Sequence, residues 1–244
     1  MGIFNFFTNK NKLSSPQTSE QKDERKAECP SCYKALAKIP GRKTQCSHCG
    51  EFMFVRTRPK DNTRVVVTKD EADKIDEDWS IVSGTHDSFV AQKMAMTEET
   101  ERLRESFGGK EPSENDVKWS LLNKELLEHA KNGNWGLYRN ARFQMAEILR
   151  REVKLKQALQ TYLEVCYLDL NGPNNSGGFF DPRNGNAFLA PGVIRLVQRT
   201  IKKLGTSKED VRKEFIEYNT RIEKSLQLPV TPVASWDKIE SEVW

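Results

Sequence analysis

Four cysteines, Cys29, Cys32, Cys46 and Cys49, fall in the pattern C-x2-C-x13-C-x2-C, and no other feature restricts the fold of this chain as much. Each C-x-x-C pair places two thiolates on one tight turn. Two such turns supply four soft sulfur ligands to a tetrahedral zinc ion. A closed set of four protein ligands leaves no position for water, so the ion is expected to be structural and not hydrolytic. Iron is the competing occupant of a four-thiolate site, and a pair of disulfides is the competing covalent outcome. The expected cytoplasmic setting favours metal over disulfides.

That setting is read from composition. Charged residues make up 30% of the 244, and no apolar run approaches the roughly 18 residues that span a bilayer. Met1–Phe7 is apolar but lacks the basic leader, long apolar stretch and cleavage site of a secretory signal, and Phe6 stands where a myristoylation pattern needs Ser or Thr. No integral membrane association is expected. Charge is uneven. Residues 1–60 hold 12 Lys/Arg against 5 Asp/Glu, a net +7, while the remainder holds 27 against 30, a net -3.

Composition and periodicity divide the chain. Residues 1–27 read as a flexible tail with an apolar tip, because 8–27 are almost free of the large apolar groups that offset ordering entropy. Residues 28–69 read as a zinc ribbon, with strands expected around Phe52–Val55 and Arg64–Thr68. Residues 70–111 read as connecting helices, opened by a Thr68–Glu71 capping box, with two further short helices and a Gly108-Gly109 stop. Residues 112–228 read as an α-helical domain. Ser113 caps its first helix, which Gly133 closes, and further helices are expected at about 135–152, 155–170, 191–204 and 207–227. Residues 229–244 read as a C-terminal tail with a last helical turn. The fold class expected is therefore mainly α with a small N-terminal β zinc ribbon.

The ribbon resembles short bacterial zinc ribbons of the form CPxC…CxxCG followed by an aromatic and valine strand. Cys29, Pro30, Cys32, Cys46, Cys49, Gly50, Phe52, Phe54 and Val55 carry the likeness, over residues 28–58. It implies a metal-binding module used for structure or recognition. Residues 135–170 resemble a tetratricopeptide repeat. Met145 and Ala146 match its Leu and small residue, Ala158 follows Ala146 by twelve positions, and Tyr162 takes the aromatic place. Arg142 stands where that repeat has Trp, and Leu170 where it has Pro. The chain as a whole resembles bacterial proteins that join a zinc ribbon to such helices, a resemblance that carries no activity.

Two functions follow as expectations. The first is a non-catalytic, zinc-binding adaptor whose helices bind a protein or peptide partner, with Trp135, Tyr138, Arg142 and Tyr162 as groove candidates. The alternative is nucleic-acid binding by the basic ribbon through Lys34, Lys38, Arg42, Lys43, Arg56 and Arg58, beside Tyr33, Phe52 and Phe54. No enzyme is expected: His86 and His129 are isolated, and no phosphate loop or nucleophile elbow occurs. The loop Gly177–Asn184, where Asp181, Arg183 and two Phe gather, is the one catalytic candidate. His48 is expected outside the metal's ligand set, and Cys166 is expected as an inert buried thiol.

Overall fold

The computed structural model describes residues 23–179 and 188–244. It divides into two compact units, with the boundary after Ala95. The apolar tip Met1–Phe7, most of the tail, and Phe180–Asn184 of the candidate loop lie outside the described residues.

The N-terminal unit holds a three-stranded antiparallel sheet in the order β1 (Thr44–Gln45), β2 (Phe52–Thr57), β3 (Arg64–Val67). The β2–β3 hairpin pairs Phe54 with Val67, Val55 with Val66 and Arg56 with Val65. Alternation then puts Met53, Val55 and Val66 on one face and Phe54, Arg56, Val65 and Val67 on the other. The first face covers the cysteines: Cys29, Cys46 and Met53 form a small buried cluster with Cys32, Leu36 and Val66 packed on it. Helix α1 (Lys69–Val82) packs on the hairpin and buries Ala72 and Ile75. Its start follows from the capping box, in which Thr68 and Glu71 exchange side-chain and backbone hydrogen bonds. Arg56 clamps Asp76 of α1 through two hydrogen bonds of 2.7 and 2.9 Å, and the Trp79 indole donates to the Thr57 carbonyl at 2.6 Å.

Helix α2 (His86–Ser106) crosses the unit boundary. The second unit continues with α3 (Glu114–Lys131), α4 (Trp135–Arg151), α5 (Leu155–Leu170), α6 (Pro191–Leu204), α7 (Lys208–Leu226) and α8 (Pro232–Val243). Short loops at 132–134 and 152–154 join α3, α4 and α5, which pack on one another in turn as consecutive helical hairpins. Helix α5 is the axis of the unit. It packs against α4, α6, α7 and α8, and its residues from Leu163 to Leu168 are all buried. That is why its sequence is apolar nearly all round.

Three elements differ from the expectation. Residues 86–106 form one continuous helix instead of two, and with Glu99 and Leu103 its buried residues it shows no long apolar stripe. The segment 229–244 is no tail. Pro232 opens α8 behind a Thr231 cap, and Trp236, Ile239 and Val243 bury one face of it. The two-residue strand β1 was not expected, since so short a strand carries no pattern.

Candidate metal centre

The two knuckles share one backbone arrangement. In the first, the Tyr33 amide donates to the Cys29 carbonyl at 2.8 Å and the Cys29 amide donates to the Lys34 carbonyl at 3.0 Å. In the second, Gly50 donates to Cys46 at 3.0 Å and Cys46 donates to Glu51 at 2.8 Å. The residue after each second cysteine is left-handed, with φ of 58° at Tyr33 and 77° at Gly50. Glycine suits that conformation and tyrosine does not.

These turns bring the four sulfurs within 4.8 Å of one another. Cys29 Sγ lies 3.8 Å from Cys49 Sγ, and Cys32 Sγ lies 3.9 Å from Cys46 Sγ. A tetrahedral ion with metal–sulfur bonds of about 2.3 Å separates its sulfurs by about 3.8 Å, so the site fits such an ion. All four thiols are free, and both close pairs lie well beyond the roughly 2.05 Å of a disulfide. Cys29 and Cys46 are buried, Cys32 is half-buried and Cys49 is exposed.

The electrostatics suit a cation. Amide groups of Cys49 and then His48 favour the Cys46 thiolate and hold that thiol down at about 6. Cys49 accepts from the Glu51 amide, yet desolvation and the surrounding sulfurs push its thiol up to about 12. Four clustered sulfurs resist complete ionisation by themselves. A divalent ion held there would replace their protons and remove the conflict. His48 stays outside the ligand set. Its ring bonds the Ala35 carbonyl at 3.1 Å, and its own amide donates to Cys46 Sγ at 3.4 Å.

The six cations named from the sequence are not equivalent. Arg56 is held by Asp76, and Arg58 by Asp61 and Glu24 at 2.8 and 3.1 Å. Lys43 lies over the rings of Phe52 and Phe54, 4.6 and 5.0 Å from their centroids. Lys34, Lys38 and Arg42 are exposed, as is Tyr33.

The four groove candidates do not line one surface. Tyr162 is fully buried and its hydroxyl donates to Glu147. Arg142 is engaged by Glu164 of α5, with its Nε 2.8 Å from Oε1, and it also donates to the Tyr218 hydroxyl of α7 at 3.1 Å. Trp135 stacks on Phe179 with centroids 5.2 Å apart and meets Tyr138 edge-on at 5.5 Å. What sequence reasoning missed is a cavity of about 500 Å³ between α3, α4 and the start of α5. Trp119, Ile148, Leu149, Gln157 and Gln160 line it, with Arg142 at its wall. Asn174 and Asn175, just ahead of the candidate loop, cap the start of α4. Asn174 O accepts from the Gly136 amide at 3.1 Å, and Asn175 Oδ1 accepts from the Leu137 amide at 3.0 Å. Cys166 is wholly buried, and burial pushes its thiol well above the usual range.

Comparison with protein-family models, with curated proteins and with solved structures finds no match. Among the described residues, no helix is long and apolar enough to cross a membrane.

Proposed function

We propose that the protein is a non-catalytic adaptor: a structural zinc ion holds the N-terminal unit together, and the helical unit binds a protein partner. The observation that carries the first half is the sulfur tetrad, whose cross-pairs of 3.8 and 3.9 Å match the edges of a tetrahedron around one ion. The buried cluster around it has only Cys29, Cys46 and Met53 as fully buried members, so metal binding supplies folding free energy on the order of 10 kcal/mol. Four sulfurs fill the coordination sphere, which supports a structural role over a chemical one.

The second half is supported by the α3–α4–α5 cavity. Its charged wall residues are already partnered: Lys154 with Glu152, Arg142 with Glu164, and Asp116 with the Ser113 cap. What remains for a ligand is the Trp119 ring and the Gln157 and Gln160 amides, groups suited to a polypeptide. The tetratricopeptide likeness is supported by Ala146 and Ala158, both fully buried where α4 meets α5. A photoreactive amino acid installed in place of Gln157 is expected to capture one defined polypeptide in cells, and one in place of Lys238 on α8 is not. Identical capture from both positions, or none from either, contradicts the adaptor reading.

The nucleic-acid alternative is supported by the exposure of Lys34, Lys38 and Arg42, and weakened by the ion pairs of Arg56 and Arg58. Its test is salt-dependent retention of a single-stranded oligonucleotide.

A further inference from the structure

The matched knuckles isolate one anomaly. At the position that Gly50 fills in the second knuckle, the first has Tyr33 at φ 58°. A side chain there costs about 1–2 kcal/mol relative to ordinary backbone. Tyr33 recovers little by burial, since 78% of it is exposed. Strain retained beneath an exposed aromatic points to a use for the ring.

Tyr33 stands on the rim of a groove of about 500 Å³ lying wholly within the N-terminal unit. Val65, Val67 and Ile75 line it, with Pro30 beside Tyr33. The groove follows the outer edge of β3. The Arg58 amide donates to the Thr63 carbonyl at 2.9 Å, which fixes the phase of the ladder. Thr63, Val65 and Val67 therefore turn their main-chain groups toward β2, and Arg64 and Val66 turn theirs outward. Glu24 covers the first of these, its amide donating to the Arg64 carbonyl at 2.9 Å. Among the described residues Val66 has no backbone partner on that edge. The charges around the groove balance, with Glu24, Glu28 and Glu71 against Lys26, Arg58 and Lys74, so a polyphosphate finds no net attraction there.

We propose that this groove binds an extended peptide segment, added beside Val66 as a further strand, with an apolar side chain resting on Val67 and Ile75 and walled by Tyr33. Main-chain hydrogen bonds supply affinity in this mode and the side-chain pocket supplies selectivity. The site is separate from the helical cavity and does not depend on the adaptor reading.

The test pans the metal-loaded full-length protein against a displayed library of linear peptides. Enrichment of sequences alternating apolar and polar residues is expected. Tyr33→Gly is expected to keep its metal and to bind a synthetic copy of an enriched peptide roughly tenfold more weakly. Methylating the peptide nitrogen that faces Val66 is expected to weaken binding at least as much. No enrichment, equal binding by Tyr33→Gly, or indifference to N-methylation overturns the proposal. A single-stranded oligonucleotide that displaces the peptide assigns the groove to nucleic acid and overturns it as well.

Discussion

Single residues bear costs that local rules locate. Val153, in the loop between α4 and α5, is a β-branched residue at φ 61°, and it is exposed. Val153→Gly is expected to raise stability by roughly 0.5–1 kcal/mol, read as a higher midpoint in urea, because relief of the left-handed strain exceeds glycine's added entropy. Gly133 is the reverse case. At φ 65° it passes so close to Gly177 that an added Cβ falls 2.7 Å from the Gly177 Cα, so Gly133→Ala is expected to destabilise. Glu99 adds a pH dependence. Hydrogen bonds from Arg102, working against desolvation, and then Lys124 and Ser120, hold its carboxyl at about 2 instead of its ordinary 4.5. The native state thus binds this proton less tightly than the unfolded chain. Its stabilisation, on the order of 1–2 kcal/mol, is complete above the unfolded value and is lost as pH falls from about 4.5 through 2. The gap in unfolding free energy between the native protein and Glu99→Gln is expected to close over that window, and a gap independent of pH contradicts the assignment.

Elements show which signals are local and which are not. The Thr68–Glu71 and Ser113–Asp116 capping boxes were legible because donor and acceptor sit three residues apart. The limits of α5 were legible because its apolar run is long. Helix α8 was not, because a twelve-residue stretch opened by a proline shows its Trp236–Ile239–Val243 stripe as core only once α5, α6 and α7 pack on it. The cysteine site was readable from spacing alone. The fate of Arg56 was hidden, since Asp76 lies twenty positions away in sequence and reaches it only through the fold. The same holds for the buried link of α4 to α5. Glu164 is 2% exposed and Arg142 16%, and their pairing joins the two helices. Glu164→Ala strands the Arg142 charge and is expected to cost about 3–5 kcal/mol, whereas the double change Arg142→Met with Glu164→Leu costs much less. Equal losses in the single and double variants, measured by denaturant unfolding, contradict the assignment.

On the scale of the whole molecule, two cores of different origin share one chain. The helical unit buries Tyr162, Tyr167, Phe215 and Trp236, while the N-terminal unit gathers Cys29, Cys46 and Met53 in a small cluster, whose stability we propose comes from a bound ion. Calorimetry is expected to show two transitions, with a strong chelator abolishing only the one assigned to residues 23–95. A single transition, or loss of both on chelation, contradicts that division. The claim beneath everything else is the occupant of the cysteine cluster, and X-ray absorption at the zinc edge reads it most directly. The expected spectrum is one zinc per chain with four sulfurs at about 2.3 Å and no light-atom ligand. A shell containing nitrogen or oxygen, or reduced protein that retains no metal, contradicts the account.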